Sequence, residues 1–190
     1  MTTLRTERLL LREFVDADWP AVHAYGSDPQ VVEFVPWGPN TQEDTRAFVR
    51  RAIGHQAETP RRSYELAVVL RDQSALVGGC GLTVTDPQNR SGSIGYVLHR
   101  RYWGRGLMPE AARALLRFGF GELGLHRIWA LCDVQNARSA RVLEKIGMQR
   151  EACMKQDAWM HGRWRDTYLY AVLENEWHAA PCMARAGEEA

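Results

Sequence analysis

Arg101-Tyr102-Trp103-Gly104-Arg105-Gly106 is the stretch of this chain whose residue types and spacing most directly describe a chemistry. Two glycines one position apart let the backbone turn tightly and approach a ligand closely. Successive N–H groups in such a turn form an anion-binding concavity. A helix beginning just after it adds free N–H groups and a positive dipole end. Arg100, Arg101 and Arg105 bring positive charge to the same place. Together these features describe a phosphate site. Two familiar phosphate loops do not match: there is no GxxxxGK followed by Ser or Thr, and Pro109 stands where a dinucleotide fingerprint needs its third glycine. On spacing alone, a tight strand-to-helix connection without a ligand accounts for the glycines equally well.

The elements that must position this loop can be read around it. Ser93 to Leu98 reads as a strand leading in, and Pro109 to Leu123 as a helix leading out, with Ala112, Leu115, Leu116, Phe120 and Leu123 at helical spacing. His126 to Cys132 is a further strand, which completes a strand–helix–strand unit. Asn136 to Ile146 predicts a short helix closed by Gly147. Upstream, Arg8 to Phe14 predicts a strand, Asp16 an N-cap, residues 28–40 an irregular segment, and Thr41 to His55 a helix opened by Thr41 and Asp44. Tyr64 to Leu70 and Ala75 to Thr85 predict two strands of a meander. The last stretch predicts a hairpin turning near His161-Gly162. The order βααβββαβαββ indicates an α/β single domain over residues 6–177, with residues 178–190 expected to be a flexible C-terminal tail.

Bulk properties narrow the function classes. The chain has 190 residues and a formal net charge of +1, so no global basic field points to nucleic acid. There is no 18-residue apolar run for a membrane span and no basic-then-apolar N-terminal segment, which leads to a cytoplasmic expectation. Cys80, Cys132, Cys153 and Cys182 form no CxxC motif and are expected to be small buried apolar residues; no metal is expected.

The loop also carries a resemblance. Arg101-x-x-Gly104-x-Gly106 resembles the Gln/Arg-x-x-Gly-x-Gly/Ala signature of the GNAT N-acetyltransferase superfamily. Further strings follow in order: Glu110-Ala111, Leu123-Gly124-Leu125-His126-Arg127-Ile128, Asn136-x-x-Ser139, and Leu143-Glu144-Lys145-Ile146-Gly147-Met148. With Thr6-Glu7-Arg8-Leu9-Leu10-Leu11-Arg12 at the start, they are similar to the Rim-type branch, which includes ribosomal-protein alanine N-acetyltransferases. The resemblance covers roughly residues 6 to 175. It implies the GNAT fold, a mixed and mostly antiparallel sheet of about seven strands with about four helices and central strands splayed for CoA.

The same resemblance implies acetyl-CoA as donor co-substrate and a set of site residues. The strand Ser93 to Leu98 would lie along the pantetheine arm, with Val97 and Leu98 in contact and the Val97 amide facing the thioester carbonyl as oxyanion donor. Pyrophosphate would be held by N–H groups among Arg101, Tyr102, Gly104, Arg105, Gly106 and Leu107, with Trp103 in the same loop. Asn136 would contact the cofactor, and it also reads as an N-cap. Ser139 would lie near the thioester sulfur. The chain departs from many relatives at Leu143, where they carry a tyrosine acid, and at Ser93, where they carry a glutamate base. Asp157 is the candidate base, with Asp166 and Tyr168 behind it; His126 reads as structural.

The resemblance further implies a primary amine as acceptor, either a protein N-terminus or a small molecule such as an antibiotic, polyamine or amino acid; a CoA-binding module without catalysis is the third reading. Phe34, Trp37, Trp159, Trp164 and Tyr168 either line an acceptor groove or pack in the core. Arg163 and Arg165 share a strand face and either attract an acidic acceptor or solvate the hairpin. The protein is expected to work as a monomer or homodimer.

Overall fold

The computed structural model describes residues 2–179. Eight strands form one sheet in the order β1-β2-β3-β4-β5-β6-β8-β7: β1 Thr3–Arg5, β2 Leu9–Glu13, β3 Ser63–Leu70, β4 Ala75–Asp86, β5 Ser91–Leu98, β6 Arg127–Asp133, β7 Gln149–Met160 and β8 Arg163–Leu173. Six helices accompany them among the described residues: α1 Trp19–Gly26, α2 Pro29–Val32, α3 Gln42–His55, α4 Leu107–Gly121, α5 Ala137–Lys145 and α6 Glu174–Ala179. The expected mixed, mostly antiparallel sheet is present, with one more strand and two more helices than expected. Strand β1 is three residues long and only its middle residue is shielded, so it carries almost no periodicity. Helices α2 and α6 are too short to show a helical repeat.

Alternation along the strands builds a core on each side of the sheet. Leu66, Val68 and Leu70 of β3 join Leu9 and Leu11 under α4 and α5. Ala67 and Val69, one residue out of phase, meet Phe14, Val22, Tyr25, Val49 and Ala52 under α1 and α3. Helix α3 begins as expected: Thr41 Oγ1 accepts the Asp44 N–H, and Asp44 accepts the Thr41 N–H. Thr45, Val49 and Ala52 are its buried stripe. Helix α4 comes close to the sheet because Gly119 has no side chain; a Cβ there would lie 2.6 Å from an Ile128 methyl and 2.7 Å from a Leu82 methyl.

Some local expectations are corrected. Asp16 does not cap α1. A 3-10 turn, Asp16–Asp18, intervenes, and it is Asp18 that accepts the Val15 N–H while paired with Arg12 at 2.7 Å. Cys80 and Cys132 are buried, but Cys153 is exposed on β7, an outer strand. Cys182 and tail residues 180–190 lie outside the described residues. No described helix is long and apolar enough to cross a membrane.

The feature that positions the site is a partial pairing. Strands β5 and β6 run parallel but bond only from Ser91↔Arg127 to Ser93↔Trp129. Beyond that point β5 stays on β4 as far as Leu98, and β6 stays on β8 as far as Asp133. A wedge therefore opens between Ile94–Leu98 and Ala130–Asp133, with the turn after β5 at its wide end.

Candidate functional site

The glycine loop follows β5 and ends at the first residue of α4. A 3-10 turn, Arg100–Tyr102, comes first. The Arg101 N–H donates to His99 Nδ1 at 3.1 Å, the Tyr102 N–H to the His99 carbonyl, and the Trp103 N–H to the Arg100 carbonyl. The Trp103 indole donates to the Leu98 carbonyl at 2.8 Å and packs against the core under α4, tying the turn to the end of β5. The next residues have a different conformation. Gly104 and Gly106 have φ of +77° and +73°, and residues 104–106 are exposed. Among the described residues, no acceptor is found for the Gly104, Arg105 or Gly106 N–H, and the Leu107 N–H is one of the unpaired donors of a helix start. The expectation of free N–H groups throughout the loop is corrected accordingly: Arg101 and Tyr102 use theirs within the turn, and those of Gly104 to Leu107 have no acceptor among the described residues. Arg100 is turned away as well, donating to Gln30 Oε1 and pairing with Asp28 at 3.1 Å.

The wedge edge of β5 corrects a second expectation. The His99 N–H donates to the Val77 carbonyl on β4, while the Leu98 carbonyl points away from β4 to Trp103. Peptide groups alternate sides along a strand. With Val97 opposite Gly79 in register, its amide faces β4, and the amides of Ile94, Tyr96 and Leu98 face the wedge. Val97 is one residue out of phase for the expected donor role. A Cβ on Gly95 would meet nothing within 4 Å, so this stretch is open to close approach.

Across the wedge, Asn136 caps α5 as expected, accepting the Ser139 N–H at 3.1 Å. Ser139 Oγ lies 3.0 Å from the Tyr96 hydroxyl, which also reaches the Ser139 carbonyl at 3.1 Å. Sequence reasoning missed Tyr96; its place on the wedge strand was the available signal. Burial pushes its phenol well above the ordinary value of 10.0, against the opposing effect of the Ser139 hydrogen bond, so it stays a proton donor. Burial likewise raises the neighbouring Cys132 thiol. Leu143 is core.

Asp157 sits in the β7 irregularity between Met154 and Ala158, exposed, and accepts the Thr167 hydroxyl at 2.7 Å. No hydrogen bond joins it to Ser139 or Tyr96. Asp166 accepts the Gln156 N–H, and Tyr168 lies beneath the Arg150 guanidinium. His126 anchors the start of β6, its N–H on the Arg90 carbonyl. Arg165 is buried rather than solvating the hairpin. Trp159 and Trp164 stack edge to face near its turn and are 60% and 56% exposed; Trp37 is exposed as well. Among the described residues no cluster of His, Cys, Asp and Glu could hold a metal ion.

The sequence profile of the acetyltransferase (GNAT) domain matches residues 8–149. The chain belongs to the GNAT acetyltransferase family. It is similar to YnaD, an uncharacterized N-acetyltransferase of Bacillus subtilis (strain 168), at 41% identity over 92% of this chain and 99% of that protein. It also resembles, at 24% identity over 92% of both chains, the ribosomal protein uS5-alanine N-acetyltransferase of Escherichia coli (strain K12). Among solved structures, a GNAT-family acetyltransferase from Bacillus anthracis superposes with a TM-score of 0.82 at 38% identity, covering 92% of this chain and 99% of that one. The chain is thus an N-acetyltransferase of the GNAT family, and the wedge and glycine loop are the parts of that fold that suit a CoA thioester. Their fit rests on open space beside the backbone at Gly95 and Gly104, where a Cβ would meet nothing within 4 Å, and on the Gly104 to Gly106 amides, which have no acceptor among the described residues.

Proposed function

We propose that this enzyme transfers the acetyl group of acetyl-CoA to the α-amino group of a protein N-terminus, by direct attack in a ternary complex. The observation that carries this reading is the makeup of the wedge. Its polar side chains, Tyr96 and Ser139, are hydroxyls paired with each other, and among the described residues no carboxylate or imidazole hydrogen-bonds to them. Only a neutral amine attacks. An α-amino group has a pKa of roughly 7.7–8.0 against about 10.4 for lysine, so neutralising lysine at pH 7 costs some ~3.5 kcal/mol more. A wedge without a strong base suits the weaker amine. Similarity to the ribosomal protein uS5-alanine N-acetyltransferase of Escherichia coli supports a protein acceptor.

When bound, acetyl-CoA supplies an activated acetyl thioester. The amides of Gly104 to Leu107 would hold its pyrophosphate, and the β5 amides of Ile94, Tyr96 and Leu98 would hold the pantetheine arm and the acetyl carbonyl. One of these amides would stabilise the charge that develops on the carbonyl oxygen. Asn136, with its Oδ1 committed to the cap, has its amide N–H groups left for a ligand. Ser139 Oγ–H would donate to the departing sulfur, while Tyr96 donates to Ser139. A thiol of pKa near ~8.5 is a far stronger acid than either hydroxyl, so the pair stabilises the thiolate by hydrogen bonding rather than by protonating it. Asp157, exposed and hydrogen-bonded to Thr167 rather than to the hydroxyl pair, would receive the amine proton only through water, which suits a weakly basic amine.

The test is a free-thiol release assay on peptides that carry both an α-amine and an internal lysine, with the products located by mass spectrometry. Acetylation at the N-terminus is expected. Acetylation of lysine alone, or only of small amines, would overturn the reading.

A further inference from the structure

Arg8 lies nearly a hundred positions before the glycine loop, yet its guanidinium grips the loop. Nε donates to Glu110 Oε2 at 2.7 Å, Nη2 lies 2.6 Å from the same oxygen, and Nη1 donates to the Arg105 carbonyl at 3.0 Å. Glu110 stands in the first turn of α4. Its other oxygen accepts the Thr6 hydroxyl at 2.6 Å and the Arg8 N–H at 2.9 Å. The carboxylate is therefore held on every side, and it fixes the direction of the Arg8 fork.

We infer that Arg8 is a positioning residue for acetyl-CoA, aiming the Gly106 amide at the pyrophosphate by pinning the Arg105 carbonyl. The Arg105 carbonyl and the Gly106 N–H belong to one planar, trans peptide unit, so they point in opposite directions. Holding the carbonyl towards Arg8 turns the N–H away from it, to the open side of the loop. The pin is needed because the loop is glycine-flanked. Gly106 sits at φ +73° and, lacking a Cβ, adopts negative φ about as readily, so the peptide can turn over at little steric cost. A flipped unit would present a carbonyl oxygen to the phosphate. Arg8 contributes little net charge itself, because Glu110 neutralises it.

This inference rests on the loop being the pyrophosphate site, and the experiment separates the two. Calorimetric Kd values are measured for CoA, dephospho-CoA and pantetheine on the wild type, Arg8→Ala and Arg8→Lys. Wild type is expected to bind CoA and dephospho-CoA far more tightly than pantetheine, which has no pyrophosphate; equal affinities would overturn the loop reading and this inference with it. Arg8→Ala is expected to weaken CoA and dephospho-CoA alike by roughly tenfold, the scale of one charge-assisted hydrogen bond. Pantetheine should stay within about twofold, which also reports that the wedge is folded. Arg8→Lys should behave as Arg8→Ala, since one ammonium cannot span Glu110 and the Arg105 carbonyl as the fork does. Full recovery in Arg8→Lys would show that charge matters rather than peptide orientation. A loss confined to CoA would place Arg8 on the 3′-phosphate. Equal loss for all three ligands would indicate general damage. Each of these three results overturns the inference.

Discussion

Ser139 and Tyr96 illustrate how much one hydroxyl pair can contribute. A hydrogen bond to a charged group is worth about 1.5–3 kcal/mol, so Ser139→Ala is expected to lower kcat by roughly 10- to 100-fold. The KM for acetyl-CoA should stay within about threefold, since the thiolate forms only as the bond breaks. Tyr96→Phe should cost kcat less, and the double variant should be no slower than Ser139→Ala, because Tyr96 acts through Ser139. Thiol-release kinetics on the four proteins check this; strictly additive losses would separate the two residues. In the loop, Gly106→Val forces a β-branched residue into positive φ and disturbs the amide cradle. It is expected to raise the KM for acetyl-CoA at least about tenfold in a protein that still folds; an unchanged KM would remove the loop from the donor site.

Helix ends act at the scale of elements. Gly147 follows α5 with φ +89°, and a Cβ there would meet nothing within 4 Å. Gly147→Ala therefore isolates backbone strain, and urea unfolding should show a loss of about 1 kcal/mol. Glu110 ties the start of α4 to the β1–β2 turn. Burial pushes its carboxyl upward, but bonds from Thr6 and Arg8 outweigh that and hold it below the ordinary value of 4.5. A lowered carboxyl pKa means the unfolded chain binds the proton more readily. The stabilisation is present above about 4.5 and is lost as pH falls through the lower folded value. Arg8→Ala should therefore lose less stability between pH 7 and pH 3 than the wild type does, read as the shift in urea midpoint at the two pH values.

Across the whole molecule, one buried ion pair joins segments that are distant in sequence. Arg165 on β8 lies 3.1 Å from Asp133 at the end of β6, with side chains 4% and 1% exposed, though the approach misses hydrogen-bond angles. The guanidinium also donates to Gln135 Oε1 and to the Glu33 carbonyl, and lies over the Phe34 ring. It thus fastens the segment after α2 and the start of the β6–α5 turn to the wide end of the wedge. Arg165→Met strands the Asp133 charge in the interior and is expected to cost about 3–5 kcal/mol, with part recovered by adding Asp133→Asn. Denaturant unfolding of the single and double variants measures it; a loss no greater than that of an exposed arginine would refute the pair's structural role.

What the sequence by itself determined is local. The α3 capping box, the Asn136 cap, the α4 apolar stripe, the Gly104–Gly106 turn and the strand–helix–strand unit each arise from groups a few residues apart, so composition and spacing reveal them. The family resemblance added the donor and the wedge. The tertiary structure decided the rest, because the partners are far apart along the chain. Register placed the β5 amides of Ile94, Tyr96 and Leu98, not Val97, on the wedge edge, and a shift of one residue reverses every such assignment. Packing brought the Tyr96 hydroxyl to Ser139, buried Arg165 against Asp133, and carried Arg8 to the Arg105 carbonyl. Hydrogen bonds within the 3-10 turn consumed the Arg101 and Tyr102 amides, leaving Gly104 to Leu107 as the donors with no partner of their own.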